Sequence, residues 1–156
     1  MGLGAERLSG RSARGQTVRV NPLDEIVANV RSAFERVHRE QFVGDQVANP
    51  GLAVDVLDPV VVEDTPTVVL LTPWTVNGLA FPPDDEFPDA VEIAGRRRPV
   101  FRILMPELGA FRSVNLPLET SALRDMAQAR RLALSWAGPF QEAVTAAREA
   151  PPAGAV

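Results

Sequence analysis

The feature that most constrains this fold is a change in the spacing of apolar residues, which goes from helical to extended and back to helical. Between Leu23 and Val37 they recur every three or four residues, as in an amphipathic helix. From residue 52 to residue 118, short apolar runs alternate with turn residues, a pattern typical of strands. Helical spacing returns after Ser121. This order predicts an α+β fold in which an antiparallel sheet of about five strands is flanked by a long N-terminal helix and one or two C-terminal helices.

The start of the first helix carries several signals of its own. Asn21 is a suitable N-cap, Pro22 fits the first helical position, and Asp24 and Glu25 favour the positive end of the helix dipole. We expect a helix of about 20 residues that ends near Gly44.

The strand region is interrupted by prolines at informative places. Pro59 predicts an edge strand, a bulge or a break, because proline cannot donate to a sheet ladder. Residues 67–72 read TVVLLT and predict a more buried strand, while residues 82–90 predict an acidic, proline-rich loop. Strands are predicted at 52–57, continuing at 60–62 after Pro59, and at 67–72, 75–81, 100–105 and 110–118.

The C-terminal part predicts one helix followed by a shorter one. Ser121 is a candidate cap for the first, and Gly138 with Pro139 is the usual order of residues that ends a helix. A short alanine-rich helix over residues 140–149 is expected to follow.

The length of 156 residues is enough for one domain, which we place at residues 21–150. Residues 1–20 are rich in Gly, Ser and Arg and poor in large apolar side chains, so we expect a disordered tail. Residues 151–156 are expected to form a flexible C-terminal tail.

The sequence offers no set of residues suited to catalysis or to holding a metal. It has no cysteine and a single histidine, His38, whereas a zinc site needs three or four ligands. We therefore expect no catalytic residue, no metal ligand and no cofactor. Acidic pairs such as Asp55 with Asp58 leave a small carboxylate-based hydrolase as a minor alternative, although these residues fall in segments that read as exposed turns.

The charge pattern argues against nucleic acid and membranes as partners. The run Arg96–Arg98 is basic, but the stretch from Asp45 to Glu92 contains ten acidic residues and no basic one. Nucleic-acid-binding proteins usually present a broad basic face. No apolar run reaches the roughly 20 residues that span a bilayer, and no signal peptide is evident, so a cytoplasmic location is expected.

The most unusual local sequence is Thr72-Pro73-Trp74, followed by Phe81-Pro82. A proline directly after a buried strand makes the chain leave the sheet, and Trp74 stands at that exit. Trp74 either closes the end of the core or serves as an aromatic anchor for a partner, and both roles are compatible.

These residues also carry a resemblance to a known family. The sequence resembles the HybE/HupJ-type assembly chaperones of [NiFe] hydrogenases through Thr72-Pro73-Trp74, Phe81-Pro82, Glu107-Leu108-Gly109 and the segment 111–118. The resemblance covers roughly residues 22–138. It implies a chaperone, not an enzyme, that binds the hydrogenase small-subunit precursor with its twin-arginine signal until assembly is complete. The large subunit and other maturation proteins are further candidate partners.

An arginine pair beside an apolar segment is complementary to an acidic loop beside an aromatic groove. We therefore expect the partner-binding residues to be Trp74, Phe81, Pro82, Asp84, Asp85, Glu86 and Asp89. The alternative is a protein-binding adaptor or scaffold of unrelated purpose.

Overall fold

A five-stranded antiparallel sheet forms the centre of the structure, a computed structural model that describes residues 22–149. The described strands are β1 (Asp55–Val62), β2 (Thr65–Leu71), β3 (Val76–Ala80), β4 (Ala90–Ile93), β5 (Arg96–Pro99), β6 (Phe101–Met105) and β7 (Gly109–Asn115). The order in the sheet is β1-β2-β3-β7-β6, and β4 pairs with β5 in a separate hairpin. The described helices are α1 (Pro22–Val37), α2 (Met126–Leu134) and α3 (Ala137–Glu149). The predicted α+β class is confirmed.

Pro59 sits in a bulge of an edge strand, as predicted. The register between β1 and β2 shifts between Leu57 and Val60, and Asp58 has a positive φ of 49°. The buried hydroxyl of Thr67 donates to the carbonyl of Val60 at 2.9 Å, on the far side of the bulge. The bulge absorbs the missing proline donor without ending the strand.

The strand β2 is buried on both faces because helices cover both sides of the sheet. Val68 and Leu70 belong to the core cluster that includes Val30 of α1. Val69 and Leu71 belong to the cluster formed with α2, α3 and the β4–β5 hairpin. The sheet therefore lies between two apolar cores, which explains the continuous apolar run of this strand.

Gly78 of β3 allows α3 to approach the sheet closely. A Cβ atom at this position would lie 2.5 Å from the ring of Phe140, which is fully buried on α3. Any side chain here would collide with an aromatic ring, so the position favours glycine.

The first helix has the predicted extent but changes type near its end. The α-helical part ends at Val37 and continues as a π-helical turn from His38 to Phe42. Gly44, with φ of 78°, follows this turn. The predicted cap Asn21 lies outside the described residues, as do the predicted tails at 1–20 and 151–156. The domain limits stay a prediction.

Two local predictions differ from the structure. The β4–β5 hairpin was not predicted, because its two-residue turn is Ala94-Gly95, both with positive φ, whereas Asn-Gly is the usual signal for such a turn. The helix expected from Ser121 begins later, at α2, where Asp125 caps it by accepting a hydrogen bond from the amide of Gln128 at 2.9 Å.

The pair Gly138-Pro139 does not end a helix but lies in the first turn of α3. Proline is tolerated in a first turn because its missing N–H would have no partner within the helix there. The pattern of glycine followed by proline therefore marked the break between the two helices but misplaced it by a few residues.

Candidate partner-binding site

The chain leaves β2 through the turn Thr72–Thr75, which one buried threonine holds together. The hydroxyl of Thr72 donates to the carbonyl of Thr75 at 2.8 Å and accepts from the amide of Thr75 at 2.9 Å. Pro73 has no N–H, and sheet pairing stops at Leu71. The prediction that the chain leaves the sheet here is confirmed, and Trp74 stands just beyond the end of the sheet.

Trp74 packs against the end of the first helix and not within the sheet. Its ring stacks on Phe42 with centroids 4.1 Å apart and planes 7° from parallel, and the ring of His38 lies 5.8 Å away. Trp74 is half-buried and, among the described residues, belongs to neither core cluster. The tryptophan is thus positioned at a surface by an aromatic stack.

The π-helical turn brings both aromatic partners to Trp74. The amide of Val43 donates to the carbonyl of His38 at 3.0 Å, five residues back, which is the hydrogen bond that defines this turn. As a result His38 and Phe42 contact the same indole ring. Such turns frequently occur at functional sites. Sequence reasoning missed Phe42, because apolar spacing does not reveal a change from α to π geometry.

A groove of about 530 Å³ opens beside this stack. Trp74 is not one of its lining residues but stacks on Phe42, which is, and we call this groove the Trp74 groove. His38 and Phe42 line it together with most residues of the loop that follows, as far as Leu52. Val43 and Val47 in that loop are 67% and 58% exposed. An apolar groove with exposed aliphatic side chains nearby is typical of a surface that binds a partner.

Asn49 fixes the wall of the Trp74 groove and was also missed by sequence reasoning. Its side-chain amide donates to the carbonyls of Thr120 and Leu123 at 2.9 and 2.8 Å. Its own backbone amide donates to the carbonyl of Pro73 at 2.7 Å. One asparagine thus ties the groove loop to the Trp74 turn and to the segment before α2, a long-range role that leaves no pattern in the sequence.

The second half of the predicted site lies at the opposite end of β3. Phe81 follows this strand directly, is half-buried and packs on Phe111 with ring centroids 5.4 Å apart. Pro82 is buried. Five strand residues separate the two ends of β3, so about 15 Å or more lies between Trp74 and Phe81. The predicted residues therefore form two separate groups.

Asp85 lies in the loop of residues 82–90, which we call the acidic loop, and forms ion pairs with two arginines. Arg102 donates to one carboxylate oxygen, Oδ2, at 2.8 Å. Arg112, which is buried, donates to Oδ1 at 2.8 Å and to the Asp85 carbonyl at 2.7 Å. Hydrogen bonds from Arg102 and then Arg112 lower the pKa of Asp85 below its usual range. This carboxylate is an internal anchor of the loop.

Asp84 also forms an ion pair, with an arginine from the last helix. Arg148 donates to Asp84 at 2.9 Å and to Asp64, in the β1–β2 turn, at 2.8 Å, and also contacts the carbonyl of Glu86. Only 9% of the Arg148 side chain is exposed. Hydrogen bonds from Arg148 lower the pKa of Asp64 to about 2 and also lower the pKa of Asp84.

Glu86 and Asp89 carry the remaining charge of the acidic loop. Both residues are exposed, and no arginine among the described residues contacts either carboxylate. The backbone of Asp89 accepts a hydrogen bond from the amide of Val100 at 2.8 Å, which fixes its place beside the β5–β6 connection. The charge that this loop presents to a partner therefore comes mainly from these two side chains.

The Glu107-Leu108-Gly109 motif has a structural explanation. The carboxylate of Glu107 accepts a hydrogen bond from Arg36 of α1 at 2.7 Å, joining the β6–β7 turn to the helix that leads into the Trp74 groove. Gly109 has a φ of 71°, a conformation that glycine adopts without strain. The motif therefore positions α1 on the sheet.

Over residues 22–149 no group of three His, Cys, Asp or Glu side chains is arranged to hold a metal ion. In the same described part of the chain, no helix combines the length and apolar character needed to cross a membrane.

One comparison with known proteins identifies a family, and a second shows a shared fold. The model of the [NiFe]-hydrogenase assembly chaperone family HybE matches residues 25–154. The solution structure of HybE from Escherichia coli superposes with a TM-score of 0.57 and 19% sequence identity, covering 84% of this chain and 86% of that chain. At this identity the structural likeness establishes a shared fold. A comparison with curated proteins gives no match.

Proposed function

Because this chain belongs to the HybE family of [NiFe]-hydrogenase assembly chaperones, we propose that it binds the hydrogenase small-subunit precursor, with its twin-arginine signal, until assembly is complete. The observation that carries this proposal is the family match across residues 25–154, most of the chain. The role is one of binding without catalysis, metal or cofactor, and it is exercised in the cytoplasm before export. The large subunit and other maturation proteins would join at later steps.

In this proposal the Trp74 groove binds an apolar segment of the precursor. Trp74 is half-buried at the side of the groove, and its stack on Phe42, which lines the groove, fixes the orientation of both rings. A fixed aromatic side chain loses little conformational entropy on binding, and tryptophan is a frequent hot-spot residue. The exposed Val43 and Val47 would extend the apolar contact.

The acidic loop contributes to the same proposal through charge. Glu86 and Asp89 would attract the paired arginines of the signal, while Asp84 and Asp85 keep the loop in shape through their bonds to arginines of this chain. Exposed ion pairs contribute only about 0–1 kcal/mol each, so their main effect would be on the rate of association. Phe81 and Pro82 would hold the loop at the end of β3.

Because the two groups of residues lie at opposite ends of β3, we propose that they contact different parts of one precursor. The test is to measure the affinity of the full chain for three forms: the precursor, the same subunit without its signal, and the signal peptide alone. We expect the complete precursor to bind most tightly, since both contacts are then made.

Absence of binding to any of the three forms would refute the proposed function. A variant signal with both arginines replaced by lysine serves as a control for general charge attraction, since it keeps the charge but loses the planar guanidinium geometry. Co-purification from cells that express the precursor at natural levels would test the complex independently.

A further inference from the structure

The two edges of the central sheet differ in how they are protected against pairing with another strand. Edge strands expose unpaired backbone N–H and C=O groups, and proteins usually guard them with bulges, prolines or charges. β1 forms one edge and β6 the other. In residues 22–149 no further strand pairs with the outer side of either.

The β1 edge is well guarded. It contains the Asp58-Pro59 bulge, and Asp55 accepts hydrogen bonds from Arg31 of α1 at 3.1 Å and from Arg130 of α2 at 2.7 Å. The side chain of Gln141 on α3 donates to Asp58 at 2.7 Å. Three helices thus reach this edge, and an added strand would have to displace their side chains.

The β6 edge has fewer of these features. Its sequence is FRILM, without proline, glycine or bulge, and its register with β7 is regular. Phe101 is 50% exposed and Leu104 is 72% exposed, the largest value among the exposed large apolar residues that the structure describes. The one charge on the strand, Arg102, is already balanced by Asp85. A short apolar strand with a neutralised charge is suited to pairing.

We propose that the β6 edge pairs with the β6 edge of a second copy of this chain, in an antiparallel arrangement with a two-fold axis at Ile103. In this register Ile103 faces its own copy, Phe101 faces Met105, and Arg102 faces Leu104 of the other chain. No like charges stand directly opposite one another. Phe101 and Met105 would form two aromatic–sulfur contacts across the axis.

Self-complementarity is the reason to choose a second copy as the occupant. A closed two-fold contact uses the same five residues on both sides and buries both exposed Leu104 side chains against the aliphatic part of Arg102. The result would be a continuous ten-stranded sheet, twice the five strands of one chain. Because two five-residue strands bury much less than the roughly 1,600 Å² of a standard interface, the dimer would be weak, with a dissociation constant in the micromolar range or above.

The test is sedimentation velocity of the full chain from about 1 µM to about 1 mM, a range chosen to bracket a weak dimer. We expect the average mass to rise from one chain towards two. Leu104→Arg places an arginine opposite Arg102 of the other copy, and each dimer contains this change twice. We therefore expect the dissociation constant of the dimer to rise by about tenfold or more. Leu104→Glu places a carboxylate opposite the same arginine and should weaken the dimer clearly less.

Val61→Arg on the guarded edge is the matched control, because Val61 is 49% exposed and also lies on an edge strand. It should leave the dimer unchanged. A chain that stays monomeric up to about 1 mM would overturn the proposal, as would equal losses in the two Leu104 variants or a loss in the control. Protection of the β6 amides from hydrogen exchange only on addition of small-subunit precursor would assign this edge to the precursor, and would also overturn it.

Discussion

The two ends of β3 present opposite kinds of surface. At the Trp74 end, aromatic and aliphatic side chains surround a groove, and the tryptophan is oriented by a ring stack. At the Phe81 end, two of the four carboxylates of the acidic loop, Asp84 and Asp85, meet three arginines from β6, β7 and α3. The first end keeps apolar surface available for a partner, whereas at the second end half of the loop carboxylates are paired with arginines of the same chain.

This difference shows that an acidic stretch in a sequence is not the same as an acidic surface. The segment from Asp45 to Glu92 has no basic residue, yet the fold brings arginines from distant parts of the chain to Asp55, Asp64, Asp84 and Asp85. The charge that a partner meets is what remains after these pairings. We therefore expect apolar contact at Trp74 to dominate affinity and the acidic loop to act mainly on association.

The largest expected effect is that of Trp74→Ala on precursor binding. Loss of a hot-spot tryptophan should weaken affinity by about 30-fold, roughly 2 kcal/mol, while the half-buried position outside both cores keeps the loss of stability near 1 kcal/mol. Calorimetric titration and denaturant unfolding measure the two quantities. Leu134→Ala, which removes another exposed apolar side chain, should change neither. A stability loss of about 3–5 kcal/mol for Trp74→Ala would instead make this residue a part of the core.

The next effect concerns the fold at the other end of β3. Arg112→Met removes two hydrogen bonds to Asp85 from a buried side chain and should lower the free energy of unfolding by about 2 kcal/mol. Arg102→Met removes an exposed partner of the same carboxylate and should cost less than about 1 kcal/mol. Denaturant titrations of both variants make the comparison. Equal losses would contradict the view that the buried arginine anchors the loop.

A smaller effect is expected when the unpaired charges of the acidic loop are removed. Glu86→Gln with Asp89→Asn should slow association with the precursor by a factor of about two to five and flatten its salt dependence, leaving stability unchanged. Asp84→Asn with Asp85→Asn should lower stability and change the association rate less, since these carboxylates hold Arg148 and Arg112. Stopped-flow kinetics at several salt concentrations separate the two pairs. An association rate that is unchanged when Glu86 and Asp89 are replaced would remove the loop from the proposed site.

The smallest effect is a pH dependence at the Arg148 contact. Asp64 has a pKa of about 2 in the folded chain against an ordinary value of 3.8, so its contribution to stability is present above about pH 4 and is lost as pH falls towards 2. Wild-type stability should therefore fall more steeply over this interval than that of Asp64→Asn. Asp45→Asn is the control, because Asp45 contacts no arginine among the described residues. Parallel curves for wild type and Asp64→Asn would exclude this contribution.

Much of the fold could be predicted because the signals are local. Apolar spacing located α1 and β2, and the two prolines at 59 and 73 marked the bulge and the exit from the sheet. The Ala94-Gly95 turn escaped prediction because it lacks the usual turn residues, and Ser121 was a plausible cap in competition with Asp125.

The candidate site was harder to predict because its geometry depends on contacts between distant residues. The sequence pointed to Trp74 but not to Phe42, which lies 32 positions earlier and meets it only through the π-helical turn. It pointed to Asp84 and Asp85 but not to their arginine partners, which are 64 and 27 residues away. Nearness along the chain also suggested one continuous surface from Trp74 to Asp89, whereas an intervening strand carries the two groups apart.

The position of Arg148 has a consequence for the order of events during synthesis. Asp64 and Asp84 are made 84 and 64 residues before the arginine that holds them. Since a chain grows from its N-terminus, the sheet and the Trp74 groove are complete in sequence while the acidic loop still lacks this partner. Asp64 and Asp84 gain this partner only when the last helix has left the ribosome. Until then the nascent chain exposes their charge together with the apolar face of the sheet that Phe140 later covers.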